Sequence, residues 1–348
     1  MANISTPLHI RRDRALFRLD SLMRALQVVK PRQFRDIETA RPETGNNQIL
    51  VRLEKAVVCG SDIPKFTGMW RGLQYPLPPG MPIHECVGVV VDSHSPRFQV
   101  GDRVVAIPRG DQGLAEYYLA DAIKAVCIPE PLIDSETNLL IQPLSTVVYA
   151  LDRLSDIAGC TAIVVGLGPI GLLAVWLLNK YGASRIIGVD PFAWRCEAAC
   201  SVGAAQTFEV HSDRLLSLIA QDTTWESADI CIEAVGQQTR TINDCLYLVK
   251  RCGQVLVLGV PLEPIYPFDF TRFFRQNLHL IASVTPPDET YLARAAELIG
   301  RHGRELAFLI THHFALAKAA EAFTLYETRT GDRPLKVLID GTSWPTTS

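Results

Sequence analysis

The chain has 348 residues, of which 48% are hydrophobic and 20% charged, so it can bury the core of two domains. Its formal net charge of -3 gives no long-range attraction to phosphate, and we expect no nucleic-acid partner. The nine cysteines lack the dense spacing of a secreted disulfide framework, which favours a reducing compartment and a cytoplasmic protein.

Short apolar runs bounded by turn residues fill the first part of the chain. The first of them, MRALQVVK, begins at Met23, so residues 1–22 are predicted to be an N-terminal extension. The runs ILVRLEKAVV, CVGVVVD, DRVVAI and AEYYLA follow, separated by Gly, Pro, Asn and Asp. This pattern is typical of β-strands and predicts a small barrel.

From about Thr161 strands and helices alternate. TAIVVG, RIIGVD, ADICIEAVG and QVLVLGV are read as strands, and a helical stretch separates each of these strands from the next. The pattern predicts a parallel sheet with right-handed crossovers. The apolar run from Ala162 to Leu178 is broken by Gly-x-Gly-Pro, so we interpret it as strand, turn and helix rather than as a membrane span.

A glycine motif lies where the texture changes. Gly166, Gly168 and Gly171 follow a predicted strand and open a helix, with Pro169 and Ile170 between them. The glycines allow a tight turn, a close approach of a pyrophosphate and close helix packing. The helix N-terminus offers free N–H groups to the anion, so the motif predicts a dinucleotide site.

The residues after the next strand bear on which dinucleotide binds. Asp190 ends that strand, where a carboxylate accepts hydrogen bonds from the adenosine ribose and repels a 2′-phosphate, so NAD is favoured over NADP. Arg195 is expected to flank the adenine pocket, although it could also offset that repulsion. Val235 and Val260 complete the predicted cofactor-binding set.

Cys59 and His84 are candidate metal ligands. They are 25 residues apart, which is too far for a zinc-finger knuckle but suits a catalytic site assembled from different loops. The alternative is that Cys59 is a buried thiol, His84 a loop histidine and Glu85 an ion-pair partner. The residues alone leave both interpretations open.

The order of motifs CGSD, HECVG, GDRV, QPLS and GLGPIG resembles the zinc-dependent medium-chain dehydrogenases of the alcohol dehydrogenase superfamily. The texture is most similar to their sorbitol, threonine and aminocyclitol dehydrogenases, over residues 23–340. The resemblance implies that Cys59 and His84 bind zinc and that Glu85 is a further or alternate acidic ligand. Gln142 occupies the position of the third ligand.

The resemblance also implies roles for neighbouring residues. Ser61 would start the proton relay from the substrate hydroxyl, and Asp62 would hold the His84 ring. A segment similar to the family's substrate loop suggests a substrate pocket that includes Lys65, Phe66 and Trp70.

The sequence departs from the family pattern in four places. Gln142 replaces an anionic ligand, so it could act directly or through water. Ile83 replaces a glycine, with Met81 and Pro82 inserted before it, and Pro64 replaces a relay histidine. The lobe with four cysteines for a structural zinc is missing, so one catalytic zinc and no structural zinc are expected.

By this resemblance the fold class is α/β, with a GroES-like β-barrel catalytic domain and a Rossmann domain, a doubly wound parallel sheet. The first comprises residues 23–144 and 286–348, and the second residues 145–285, with the active site in the cleft between them. A homodimer or homotetramer is expected, without a membrane partner.

The expected activity is NAD-dependent and zinc-dependent hydride transfer between the cofactor and a small-molecule secondary alcohol or ketone. A polyol, amino alcohol or aminocyclitol is the favoured substrate. Two alternatives stay open: a zinc-free quinone or enoyl-type reductase of the same fold, and a non-catalytic dinucleotide-binding relative.

Overall fold

A computed structural model describes residues 22–128, 136–222, 225–328 and 332–344. The predicted N-terminal extension lies outside these residues except for Leu22, which begins the first strand. The described strands are β1 Leu22–Lys30, β2 Gln33–Ala40, β3 Gln48–Val57, β4 Glu85–Ser93, β5 Arg103–Ala106, β6 Tyr117–Asp121, β7 Ala125–Cys127, β8 Thr161–Val165, β9 Arg185–Val189, β10 Gln206–Phe208, β11 Ala228–Glu233, β12 Val249–Val257, β13 His279–Ala282, β14 Ile310–Ala315 and β15 Lys336–Asp340. The described α-helices are α1 Ile63–Thr67, α2 Ile141–Leu151, α3 Pro169–Lys180, α4 Ala193–Ser201, α5 Ser212–Ile219, α6 Thr241–Leu248, α7 Phe270–Arg275, α8 Thr290–Leu306 and α9 Ala319–Thr328.

Strands β1 and β2 form a two-stranded sheet, and β3 to β7 with the last two strands form one seven-stranded sheet. Its order is β14-β15-β3-β4-β5-β7, with β6 pairing to β3, and all pairs are antiparallel except β14 with β15. The C-terminal strand β15 therefore lies beside β3, the strand that leads into the CGSD segment. This arrangement brings residues from both ends of the chain to one site.

The middle of the chain forms a six-stranded parallel sheet in the order β10-β9-β8-β11-β12-β13. The chain moves outward from β8 in one direction and then returns to add β11 on its other side. Such a switch point opens a crevice at the carboxyl ends of the strands, where dinucleotides bind. The predicted fold class is confirmed.

The apolar run from Ala162 to Leu178 forms strand β8, a turn and helix α3, as predicted. Almost all of α3 is buried, with Trp176 among the largest buried side chains, which explains why the sequence is apolar all round. No helix within the described residues is long and apolar enough to cross a membrane.

Candidate metal and cofactor site

Three potential metal ligands meet at the ends of two neighbouring strands. Val57, the last residue of β3, pairs with Glu85, the first residue of β4, so Cys59 is carried to the level of His84 and Glu85. One ligand atom from each of these three residues lies within 4.8 Å of the other two. A thiol, an imidazole and a carboxylate are a donor set that zinc prefers.

Asp62 holds two of these ligands in place. It is fully buried, its Oδ1 lies 2.8 Å from Nδ1 of His84, and its Oδ2 accepts a hydrogen bond of 2.9 Å from the backbone N–H of Cys59. Because Nδ1 faces Asp62, Nε2 is the ring nitrogen left to bind a cation. Asp62 thus contacts both Cys59 and His84.

The electrostatics of His84 reflect this anionic environment. Burial alone would lower the pKa of His84, but the charge and hydrogen bond of Asp62, together with the contact with Cys59, raise the pKa well above its usual range. The surroundings of His84 therefore favour the protonated form of its imidazole.

Glu85 is paired on one side only. Its Oε2 accepts a hydrogen bond from Nζ of Lys336, and both side chains are 1% exposed. Its Oε1 is buried and has no hydrogen-bond partner among the described residues. A buried oxygen without a partner is costly, so a carboxylate with one free oxygen beside a thiol and an imidazole fits a metal.

The sequence contains a signal that Lys336 is buried and paired, but Lys336 is not among the predicted site residues. It is a single cation in the apolar strand LKVLID, and such a residue is expected to be paired when the strand is central. The chain separation of 251 residues from Glu85 hides the partner. Burial lowers and Glu85 raises the pKa of Lys336, with a net rise, so the pair is ionic.

Ser61 and Gln142 come from two different segments of the chain, Ser61 from the loop after Cys59 and Gln142 from helix α2. The hydroxyl of Ser61 donates to Sγ of Cys59 over 3.4 Å and lines a cavity described below. Gln142 is in the first turn of α2, after a short 3-10 turn that packs against β4. Its backbone oxygen accepts a hydrogen bond of 2.6 Å from the hydroxyl of Ser145.

The three predicted substrate-pocket residues do not line this cavity. Phe66 is fully buried in the core of the seven-stranded sheet, where its ring centroid lies 5.3 Å from that of Phe34 and 4.9 Å from that of Phe323. The prediction for Phe66 is therefore corrected: an aromatic in the short helix α1 packs inward. Lys65 forms an ion pair with Asp111 and lies 5.8 Å from the ring centroid of Trp70.

The glycine motif has the geometry that its residues predict. Gly166 has a φ of 91°, and a Cβ on Gly171 would lie 1.8 Å from the Gly166 oxygen, so the turn and the close packing need glycines. A Cβ on Gly168 would meet nothing within 4 Å. Gly168, Pro169 and Ile170 face the cavity, so Gly168 leaves open space where a ligand can approach the backbone.

Asp190 is buried at the end of β9 and accepts several hydrogen bonds. Its Oδ2 accepts from the backbone N–H of Leu167 at 2.9 Å and from Arg195 at 3.3 Å. Its Oδ1 accepts from the backbone N–H of Phe192 at 3.0 Å. Arg195 thus pairs with Asp190, and its guanidinium lies 4.9 Å from the ring centroid of Trp194 and 5.1 Å from that of Phe192.

One cavity of about 740 Å³ joins the two halves of the site. Cys59 and Ser61 line one part of it, and Asp190 and Arg195 line another, with Val235 and Val260 also in its wall. Residues that the sequence did not single out complete the wall, among them His211, Gln237, Thr241, Tyr326 and Lys336. His211 and Gln237 follow the ends of β10 and β11, and this position is the signal that could have found them.

The comparisons with known proteins agree with this geometry. Residues 45–130 match the alcohol dehydrogenase GroES-like domain family, and residues 169–300 match the zinc-binding dehydrogenase family. These two ranges contain the candidate metal ligands Cys59, His84 and Glu85 and, of the glycine motif, Gly171. The fold and site define a dehydrogenase with a nicotinamide cofactor and zinc.

Among similar curated proteins is L-threonine 3-dehydrogenase of Vibrio parahaemolyticus, 25% identical over 86% of this chain and 95% of its own length. Sorbitol dehydrogenase of Bacillus subtilis is 25% identical over 81% of this chain and 87% of its own length. The alcohol dehydrogenase of Thermus sp. ATN1 has a solved structure that superimposes with a TM-score of 0.77 at 23% identity, covering 91% of this chain and 99% of that one. The chain belongs to the zinc-dependent medium-chain dehydrogenases of the alcohol dehydrogenase superfamily.

Proposed function

We propose that this protein catalyses NAD-dependent oxidation of a secondary alcohol, and the reverse reduction of the ketone, with one catalytic zinc and no structural zinc per chain. The observation that carries the proposal is the placement of Cys59 and Ser61 in the same cavity as Gly168 and Asp190. A hydride can pass only between groups held in contact, and this cavity can hold a substrate carbon against a nicotinamide.

The residues of the chain have distinct tasks in this reaction. When bound, zinc supplies Lewis acidity that lowers the pKa of an alcohol, and the nicotinamide accepts the hydride. Ser61 starts the proton relay: its Oγ accepts the hydroxyl proton as its own proton passes on through the cofactor ribose to solvent. Asp62 fixes the His84 ring, and Lys336 holds Oε2 of Glu85, leaving Oε1 as a further or alternate ligand.

A neutral or zwitterionic polyol, amino alcohol or aminocyclitol is the proposed substrate class. The similarity to a threonine and a sorbitol dehydrogenase supports it. Two cations that could have bound an anionic group are already paired, Lys65 with Asp111 and Arg71 with Glu263. Lys65 and Trp70 lie together but do not line the cavity, so the substrate pocket is proposed without them.

The preference for NAD rests on Asp190. A buried carboxylate at this strand end repels a 2′-phosphate, and Oδ1 has only one described hydrogen bond, so it can accept another from a ribose hydroxyl. Arg195 offsets part of the repulsion. Asp190→Asn is therefore expected to lower the Kd ratio of NADP to NAD, as measured by calorimetry; an unchanged ratio would place the selection elsewhere.

Gln142 is the proposed fourth member of the metal site, directly or through water. The proposed catalytic domain comprises residues 23–144 and 286–348, and the proposed cofactor domain residues 145–285. Gln142 therefore lies close to the first domain boundary. Its place after a turn packed against β4 supports a role beside Glu85.

The decisive experiment is metal analysis of protein purified without added metal. About one zinc per chain, lost in Cys59→Ser, together with NAD-dependent turnover of a polyol or amino alcohol, is the expected result. Cys252→Ser, which removes an exposed thiol in the other sheet, serves as a matched control that keeps its zinc. Protein that binds NAD but takes up no zinc would favour the zinc-free reductase.

A homodimer or homotetramer is proposed from the exposed edge of the cofactor sheet. β13 is the last strand of that sheet, and exposed apolar side chains lie on and near it, namely Leu280, Val284, Phe270 and Phe274. An uncovered strand edge with such residues invites pairing with a second copy. Leu280→Lys should shift the mass in sedimentation toward the monomer.

A reducing compartment such as the cytoplasm is proposed from the cysteines. All nine are free thiols in the structure, three of them exposed. Free exposed thiols persist where glutathione keeps them reduced.

A further inference from the structure

Gln237 joins the cofactor wall of the cavity to the loop that carries Cys59 and Ser61. Its side-chain Nε2 donates a hydrogen bond of 2.6 Å to the backbone oxygen of Gly60. The two residues are 177 positions apart in the chain. Gly60 follows β3 of the seven-stranded sheet, and Gln237 follows β11 of the six-stranded sheet. Gly60 itself stands between the candidate metal ligand Cys59 and the proton-accepting Ser61.

Other hydrogen bonds hold the loop of residues 59–62 within itself and to the seven-stranded sheet. Cys59 N–H donates to Asp62 Oδ2 at 2.9 Å, and Asp62 N–H donates to the Cys59 oxygen at 3.1 Å. Just before the loop, Val58 N–H donates to the oxygen of Val337 at 3.0 Å. The hydrogen bond from Gln237 to the Gly60 carbonyl therefore links this loop to the cofactor wall of the cavity.

The donor is mounted on a stiff turn. Oε1 of Glu233 accepts hydrogen bonds from the backbone N–H groups of Val235 and Gly236, each at 3.1 Å, and from the hydroxyl of Thr241 at 2.7 Å. The backbone N–H of Gln237 donates to the Val260 oxygen at 2.8 Å. Gln237 has a φ of 56°, a conformation that few residues other than glycine and asparagine adopt without strain.

The same turn is a wall of the cofactor cavity. Val235, Gln237, Thr241 and Val260 all line it, so a bound dinucleotide restrains the base from which Gln237 reaches Gly60. We infer that Gln237 is a positioning residue that couples occupancy of the cofactor cavity to the order of residues 59–62. This inference rests on the proposed dinucleotide site, and coupling of this kind must be reciprocal between the two sites.

The test is hydrogen exchange of the backbone amides of residues 59–62, followed by mass spectrometry with and without NAD. Gln237→Met keeps the length and volume of the side chain and removes the donor. Without NAD, exchange in this segment should be about three- to tenfold faster in the variant than in the wild type, the size expected for one neutral hydrogen bond. NAD should slow exchange in the wild type and do so much less in the variant.

Glu263→Gln is the matched control. It removes the ion pair of Glu263 with Arg71, which joins the same two parts of the chain over 3.0 Å at an exposed position. Exchange of residues 59–62 and its response to NAD should be unchanged in this variant. Gln237→Asn is a second variant, because asparagine tolerates a positive φ but is too short to reach Gly60.

Unchanged exchange in both Gln237 variants, or protection by NAD equal to that in the wild type, would overturn the inference. Calorimetry of NAD binding to the wild type separates this result from failure of the proposed function. If NAD does not bind, the proposed cofactor fails, whereas the comparison without NAD still decides whether Gln237 orders the loop.

Discussion

The ammonium group of Lys336 on β15 pairs with the carboxylate of Glu85 at the start of β4, and both side chains are almost fully buried. Glu85 lies next to His84 and Cys59, so the ammonium group of Lys336 neutralises part of the negative charge of the metal site. A cation buried this deeply is retained only with a partner.

Replacement of Lys336 by Met should therefore leave the Glu85 carboxylate buried without a counter-charge. We expect the metal-free variant to lose about 3–5 kcal/mol of unfolding free energy in urea denaturation. Added zinc should recover more stability in the variant than in the wild type, since Glu85 is free to bind it. The double variant Lys336→Met, Glu85→Gln should lose less than Lys336→Met alone; an equal or larger loss would mean that packing, not charge, explains the effect.

Gln142→Glu adds an anion at the proposed ligand position. Because an anion binds zinc more strongly than an amide, the Kd for zinc in a competition titration with a chelator should fall by at least about tenfold. Gln142→Leu should raise it. Zinc affinity that is the same in all three proteins would show that the side chain does not take part in binding.

The two glycines Gly168 and Gly171 respond differently to the same substitution. Gly168→Ala places a methyl group in open space, so stability should change by less than about 0.5 kcal/mol while NAD binding weakens. Gly171→Ala forces a methyl group against the Gly166 oxygen and should cost about 1–3 kcal/mol of unfolding free energy. Thermal unfolding and NAD calorimetry on both variants separate the two effects, and loss of stability in Gly168→Ala would contradict the assignment of its open face to the ligand.

Glu305 supports the buried helix α3 and predicts a pH dependence. Burial raises its pKa, but hydrogen bonds from Trp176 at 2.8 Å, Lys180 at 3.1 Å and His302 at 2.9 Å outweigh this and lower it to about 2. Because the folded pKa is below the unfolded value, the stabilisation is complete above about pH 4.5 and is lost as pH falls toward 2.

Glu305→Gln should accordingly destabilise the protein at pH 7 and have a smaller effect at pH 3. The side chain is 45% exposed, so solvent screening keeps the effect modest. Urea denaturation at the two pH values is the measurement. Glu297→Gln is the control. Glu297 is on helix α8, as Glu305 is, and its ion pair with Arg301 is well exposed. A penalty for Glu305→Gln that does not depend on pH would argue against an ionic contribution.

The sequence predicts much of this molecule because its signals are local. The glycines of the motif, Asp190 and the alternation of strands and helices each depend on neighbours in the chain. Phe66 was misplaced because an aromatic residue near a metal motif has the same sequence appearance whether it packs inward or lines a pocket. Lys336 and Gln237 were missed since their partners, Glu85 and Gly60, are far away in the chain.

The 251 residues between Glu85 and Lys336 also bear on the order of folding. Contacts between distant segments form late, because the loop must be closed before they contribute. Strand β15 must dock beside β3 before the carboxylate of Glu85 gains its cation. Metal uptake is thus expected to complete folding rather than to begin it, so zinc in the refolding buffer should accelerate the last kinetic phase and leave the early ones unchanged.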